Sequence, residues 1–590
     1  MSEAAATAPT AAGQSGIRAW LAHLSSGRLF SEDQFFFFLS VVIGLFGGLS
    51  VVLFQLAIDS TRFWLLGSSL RPSAVRVLVA PTVAGLVVAV LVLRFFPRVR
   101  GSGVNQTKAA VYIFDGRIPF NTVIGKFLTC ALAIGAGHSL GPEDPSLQIG
   151  AGIASALGRR MQLSREKVRL IAPVGAAAGL AAAFNAPISA VLFTIEEVIG
   201  NWSAGVLGAV VVSAVASVTV ERWFMGDEPL FRVPAYHFRN PSELLAYVVL
   251  GIVGGYFSVF FLKLVLLLRP RLKRLPPWTQ YAQPAAAGFL IGLIGLGFPQ
   301  VMGAGYGYMD QAMHGQFAWH LLLLLAVLKM ASTTLSFVSG TPGGLFAPVL
   351  FMGAMLGGGV GGMVGGLERH FFHLQLHSVG PYALVGMGVL FAGILRAPMT
   401  SIFMIVELTG DYSVIVPVMI SNAFAYLISR RHQKVSLFDV LSQQDGLNLP
   451  SMEERREETP LRAENAMRPF GAPVLSAQET VAAARELVQG TTETHLLVRG
   501  DFGWGSFPRS ALETAGTKIG EDALVGSLCT ARHLPTLHPD EPLETALSLL
   551  EDRTIIPVVR RTDHGMLQGV LGLQEILQAY RRREEESSHL

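Results

Sequence analysis

Residues 137–150 read GHSLGPEDPSLQIG. The stretch lies inside a long apolar region, yet it carries two prolines, two adjacent carboxylates and three glycines. Backbone that leaves helical geometry at membrane depth must be covered by protein or line a wet cavity. The Gly/Pro run therefore predicts a sheltered break, followed by a helix from Ser146 onward. The first N–H groups of such a helix have no partner within it and carry partial positive charge, which favours an anion. Glu143 falls at that end. Its carboxylate is a tethered anion placed where a dissolved one would bind.

The surroundings fit that reading. The chain has 590 residues, 51% hydrophobic and 15% charged, with 63 glycines and a mean hydropathy of +0.47. This is the composition of a polytopic membrane protein with a soluble part. A net charge of +3 gives no reason to expect a nucleic-acid partner. The two cysteines, Cys130 and Cys529, are too far apart in sequence to suggest a disulfide framework or metal cluster. Residues 1–33 read as a polar cytoplasmic tail with a short lead-in helix. No nucleophile–base pair or metal-ligand spacing stands out, so an enzyme is not expected.

Apolar segments follow at about 35–57, 74–96, 123–136, 146–158, 168–197, 204–221, 243–268, 283–300, 318–338, 345–366, 381–408 and 412–429. Several are shorter than the roughly 20 residues that span a bilayer. Short, interrupted segments in corresponding halves of a chain point to a transport site built from half-helices. An internal repeat supports two halves. GAAAGLAAAFNAPISAVLFTIE (175–196) aligns without gaps on GMGVLFAGILRAPMTSIFMIVE (386–407). Ala186-Pro187 meets Ala397-Pro398, Ser189 meets Thr400, and Glu196 meets Glu407. The shared spacing predicts a common structural role for Glu196 and Glu407. Glu197 meets Leu408 and breaks the symmetry, which singles it out, since ionisable residues in membrane segments are functional by default.

Three breaks are candidates for anion contact. They are Gly101-Ser102-Gly103-Val104, the opening stretch, and Gly343-Gly344-Leu345-Phe346-Ala347-Pro348. Ser102 offers a hydroxyl donor, Gly103 lets backbone approach closely, and Leu345 and Phe346 offer N–H groups. No cluster of Lys or Arg accompanies the breaks in sequence. Neutral dipoles of this kind suit a halide-like ion that must enter and leave. Glycines that merely allow tight helix packing are the competing reading.

GSGV, GPEDPSLQIG, GGLFAP and the Ile195-Glu196-Glu197 run resemble the signature motifs of the CLC family of chloride channels and chloride/proton exchangers. They occur in the family's order, and the resemblance covers residues 35–440. It implies two inverted repeats of tilted, broken helices, and a homodimer with one anion pathway per subunit. It further implies a multi-pass protein of a prokaryotic inner membrane with both termini cytoplasmic. It assigns the central-site serine to Ser102, the external gating glutamate to Glu143, backbone donors to Leu345 and Phe346, and the internal proton glutamate to Glu197. The inner-gate tyrosine falls on Phe438, which has no hydroxyl to offer an anion. Asn105 stands where the family has Pro, and Pro142 and Asp144 flank the gating Glu where Arg and Gly are usual. Asp144 can cap the helix or act on Glu143 as a like charge. Lys108 and Lys126 read as structural or anion-steering residues.

The transmembrane part is expected over 34–441 and a polar linker over 442–465. Two similar units follow, 466–516 and 525–582, before a polar tail at 583–590. Each has a turn-rich start, an amphipathic helix, a β-rich run and a second helix. They resemble a pair of CBS domains. Adenine nucleotide is not the favoured ligand: the position for a ribose-binding Asp reads Glu575 in the second unit, and Arg509 or Ser510 in the first. No cofactor is expected, and the substrates are chloride and protons. The resulting expectation is chloride/proton exchange gated by Glu143. A chloride channel of the same fold and, more distantly, a CBS-containing cation transporter are the alternatives. The last would need clustered carboxylates for a hard cation.

Overall fold

The computed structural model describes residues 32–67, 73–161, 163, 165–200, 204–231, 243–371, 379–447, 449, 461–550, 553–560 and 563–588. The chain divides into two compact units, Met1–Arg455 and Arg456–Leu590.

Among its described residues the first unit is built of helices. The first eight are α1 (Glu32–Leu66), α2 (Ala74–Arg94), α3 (Val104–Tyr112), α4 (Phe120–Gly135), α5 (Glu143–Arg160), α6 (Arg165–Phe184), α7 (Pro187–Phe193) and α8 (Ala204–Met225). A wider π turn over Thr194–Ile199 continues α7. The next eight are α9 (Glu243–Lys273), α10 (Thr279–Gly297), α11 (Tyr306–Met313), α12 (Trp319–Val338), α13 (Phe346–Phe371), α14 (Val379–Leu395), α15 (Pro398–Thr409) and α16 (Ile415–His432). A short helix, α17 (Leu437–Gln444), closes the unit. Seven of these helices are long and apolar enough to cross a membrane, while α4, α14 and α15 are apolar but shorter.

The first eight helices recur as the second eight, and contacts between mates are reciprocal. A Cβ on Gly85 of α2 would collide with the Pro284 carbonyl of α10, and one on Gly288 of α10 would collide with that of Pro81 in α2. Gly141 N–H donates to the Gly344 carbonyl at 2.9 Å, and Gly344 N–H returns a bond to Gly141 at 2.8 Å. Contact of i with j matched by contact of j with i is the signature of a two-fold axis. The halves are therefore inverted repeats around a pseudo-two-fold. Asn185 and Arg396, at matching places in the two copies, both take positive φ, 53° and 61°. Each turns the chain before an Ala-Pro helix start.

Close backbone approach holds each half together. A Cβ on Gly175 in α6 would collide with the Gly150 carbonyl of α5, and one on Gly386 in α14 with that of Gly353 in α13. Small residues replace bulky ones here because helices in lipid gain association from tight packing. The outer faces of α1, α2, α9 and α10 leave Leu, Val and Phe exposed, among them Phe46, Val83, Phe260 and Leu293. Such faces suit lipid.

Two expectations change. The 168–197 segment is two helices, because Pro187 cannot continue α6 and instead starts α7; Pro398 divides 381–408 in the same way. The helix of the opening stretch begins at Glu143, not Ser146. Pro145 is tolerated there because its missing N–H belongs to the unpaired first turn. The helix carrying Phe438 runs over Leu437–Gln444. Arg269 and Lys273 of α9 both reach Asp445 just beyond it, at 2.9 Å and 2.5 Å.

In the second unit β1 (Leu475–Ser476) pairs parallel with β2 (His495–Gly500), β2 antiparallel with β3 (Gly503–Pro508), and β3 with β4 (Ala531–Arg532). A second pair joins β5 (Ile556–Arg560) to β6 (Asp563–Leu571). Helices α18 (Ala463–Ala466), α19 (Val481–Leu487), α20 (Arg509–Lys518), α21 (Leu543–Leu550) and α22 (Leu573–Ser588) accompany them. Among the described residues one core forms around Leu496 and Leu512, another around Leu543 and Ile576, and a third, around Trp504 and Val559, joins the two sheets. The unit is thus α/β, with a four-stranded sheet and a two-stranded one among its described residues.

Candidate anion and proton site

The three sequence breaks meet. Gly343 N–H points at the Gly101 carbonyl (3.4 Å), and Gly141 and Gly344 form the two-way bridge described above. A Cβ on Gly103, at φ +123°, would collide with the Asp144 carbonyl at 2.7 Å. Glycine is therefore needed at 103 for the first break to lie against the second. Ser102 is buried, and its Oγ accepts the Val104 N–H at 3.3 Å. That uses an acceptor site and leaves the hydroxyl proton to donate. Gly103 N–H is occupied by the Gln106 side chain at 3.0 Å.

Both carboxylates of the opening stretch cross to the other half. Glu143, fully buried, accepts the Ala347 N–H through Oε2 at 3.3 Å. Asp144, also fully buried, accepts the Leu345 N–H through Oδ2 at 2.9 Å. The Leu345 amide, expected to face an anion, is therefore taken up by Asp144. Phe346 opens α13, so its N–H has no partner within the helix. Its ring is fixed among Phe184, Phe193 and Phe391, with centroids 5.9, 4.9 and 5.3 Å away. The second oxygens, Glu143 Oε1 and Asp144 Oδ1, are buried and have no hydrogen-bond partner among the described residues.

Positive charge does accompany the breaks, although the sequence shows no cluster. Lys126 of α4, fully buried, donates to the Val99 and Gly101 carbonyls at 3.0 and 2.6 Å. Its mate Lys329 of α12 donates to the Val301 and Gly303 carbonyls at 3.1 and 2.6 Å. Each ammonium ties down the loop that leads into the short helix of its own half. Gly303-Ala304-Gly305 is thus the counterpart of Gly101-Ser102-Gly103. A Gly-x-Gly followed by Lys at similar distances in both halves was the signal that could have revealed it. A cavity of about 560 Å³ opens beside Pro142 and reaches Gly303, Tyr306, Asp59, Arg62 and Glu221.

Glu197 belongs to a separate cluster. Its Oε1 lies 2.5 Å from Lys108 Nζ, and the same ammonium lies 2.8 Å from Asp439 Oδ1. All three side chains are buried. Asp439 is fixed at the start of α17 by the Ser436 hydroxyl at 2.8 Å and follows the fully buried Phe438. Lys108 thereby links the glutamate to the helix that carries Phe438.

Glu196 and Glu407 have the shared role their spacing predicts. Glu196 accepts from Thr400 N–H (2.9 Å) and the Thr400 hydroxyl (2.6 Å) at the start of α15. Glu407 accepts from Ile188 and Ser189 N–H at 2.8 and 2.7 Å, and from the Ser189 hydroxyl, at the start of α7. Each half caps a helix of the other.

In the second unit Arg468 pairs with Glu493 (2.5 Å) and Glu575 (2.8 Å). The Arg468 hydrogen bond holds the Glu493 carboxyl below its usual range. Glu575 also accepts the Gly572 N–H at 3.0 Å. Arg509 reaches Glu513 and the Thr491 carbonyl.

Comparison with known proteins agrees with this architecture. Residues 84–430 match the voltage gated chloride channel family, and residues 525–582 match the CBS domain. The H(+)/Cl(-) exchange transporter ClcA of Salmonella typhimurium is 32% identical, over 67% of this chain and 85% of its own. A Ralstonia nicotianae protein named for its likeness to the ClcB chloride channel is 31% identical, over 69% of this chain and 97% of its own. Among solved structures, a slow cyanobacterial Cl-/H+ antiporter superposes with a TM-score of 0.63 at 24% identity, covering 70% of this chain and 97% of its own. A eukaryotic CLC transporter gives 0.61 at 21%, covering 92% and 97%. With its inverted repeats, its converging helix starts and a match over most of the first unit, the chain belongs to the voltage gated chloride channel (CLC) family.

Proposed function

We propose that this protein moves chloride across a membrane in exchange for protons. The observation that carries the reading is Glu143, a fully buried carboxylate held on an amide at the start of α13, with its second oxygen unpaired. A group so placed competes with a mobile anion while ionised and stops competing once protonated. Protonated Glu143 leaves, and chloride takes the free helix start, with the Phe346 N–H and the Ser102 hydroxyl as donors. Glu197 passes protons between Glu143 and the cytoplasmic side. Its carboxylate lies 2.5 Å from the Lys108 ammonium.

The protein acts as a homodimer in a prokaryotic inner membrane with both termini in the cytoplasm. It is a transporter, without catalysis of a covalent step. The C-terminal unit is a structural or dimerising part, since Glu575 and Arg509, at the ribose positions, are engaged within the unit itself. A chloride channel of the same fold is the second reading. Phe438, which lacks a hydroxyl, favours it.

Purified protein in liposomes, read with a chloride and a pH electrode, tests the choice. Wild type should drive protons uphill on a chloride gradient. Glu143→Gln should still pass chloride while proton movement falls to background. Chloride flux with no uphill proton movement in wild type would replace exchange with channel conduction.

A further inference from the structure

We infer that Asp144 is a second tethered anion, competing with chloride for the Leu345 N–H as Glu143 competes at Ala347. The inference rests on the chloride reading above and deepens it.

Asp144 is fully buried, and one oxygen takes the amide just before α13, at 2.9 Å. The other oxygen is buried and has no hydrogen-bond partner among the described residues. A residue placed only to cap a helix would have no need to leave half of a charged group unsatisfied, which is costly in a dry interior. Glycine geometry makes room for the arrangement. A Cβ on Gly344 would meet Asp144 Cγ at 3.1 Å, and one on Gly141 would collide with Glu143 Oε2. Two adjacent residues of one strand of chain therefore occupy two amides at one helix start, Leu345 and Ala347. Between them lies Phe346, whose N–H is the remaining donor.

The charged and titratable groups facing Asp144 are Glu143 on its own helix and Lys126 and Cys130 on α4. Lys329 on α12 acts on Glu143. Both lysines are already engaged with backbone carbonyls. When both carboxyls are ionised, neither is in a direct ion pair with these lysines, and an arriving chloride adds a third negative charge. Binding of chloride at the Leu345 amide is thus linked to Asp144 taking up a proton and withdrawing. By linkage, lowering the pH should then tighten chloride binding even when Glu143 is removed from the titration.

The test is calorimetric titration of the full-length detergent-solubilised protein with chloride between pH 7.5 and pH 4.5. In Glu143→Gln the affinity should still rise as pH falls, by about tenfold. In the double variant Glu143→Gln/Asp144→Asn the slope should vanish. Asn retains a carbonyl oxygen for the Leu345 N–H, so a purely structural cap would be preserved and the slope would be unmoved. A flat profile in Glu143→Gln, or a slope that survives in the double variant, overturns the role of Asp144 alone. Wild type that binds no chloride at any pH sinks the transport reading and this inference with it.

Discussion

At the residue scale, the roles proposed for Ser102 in anion choice and for the Lys108 cluster in proton access each rest on one side chain. Ser102 Oγ accepts from Val104 N–H, so its proton is free for an anion. Replacing it in Ser102→Pro removes both that donor and an N–H. The loss of one net hydrogen bond, about 1 kcal/mol, is about fivefold in affinity. Chloride should suffer, and nitrate transport relative to chloride should rise several-fold in liposome efflux; an unmoved anion preference would remove Ser102 from the site. Lys108 bridges Glu197 and Asp439 in a dry interior. Removing one partner of a buried ion pair strands the others. In Lys108→Met the two carboxylates lose their cation, and one must take a permanent proton to stay buried. Proton flux should drop while chloride flux continues, so the chloride-to-proton ratio rises, and Lys108→Arg should restore part of the coupling. Equal loss of both fluxes would make the lysine merely structural.

At the scale of elements, the two exchanged caps tie each half to a helix start of the other. Glu196→Ala leaves the Thr400 N–H and hydroxyl without their acceptor at the start of α15. The cost should be about 2 kcal/mol, seen as a lower melting temperature in detergent, with Glu407→Ala behaving alike through α7. The kinship of these two glutamates is legible in the sequence, because Ala-Pro, a hydroxyl residue and Glu recur at one spacing. So are the breaks, since Gly and Pro at membrane depth leave few alternatives. The short helices α3 and α11 are not legible there. Nine and eight residues carry too little periodicity to stand out from a loop. Nor is the target of Asp144. Its partner lies 201 residues away, and only the crossing of the two halves brings them together. The roles of the buried lysines 126 and 329 are hidden for a related reason: a charge in an apolar run looks like a helix boundary until the carbonyls that hold it are in place.

The whole molecule comprises a membrane unit of two interlocked halves and a C-terminal α/β unit. If the C-terminal unit sensed adenine nucleotide, millimolar ATP would raise the melting temperature of the full chain by ligand linkage. No shift is expected, and a saturable rise would return that unit to the class of sensors. The interlocking of the membrane halves also sets a clock on synthesis. Glu143 and Glu196 each find their partners 204 residues downstream. At about 5–20 residues per second, roughly 10–40 s separate their emergence from that of their partners. For that interval the first half sits in the bilayer with its carboxylates made and the helix starts that will receive them not yet synthesised. Until then the carboxylates of the first half lack the amides that receive them in the folded protein, an exposure that is costly in an apolar medium.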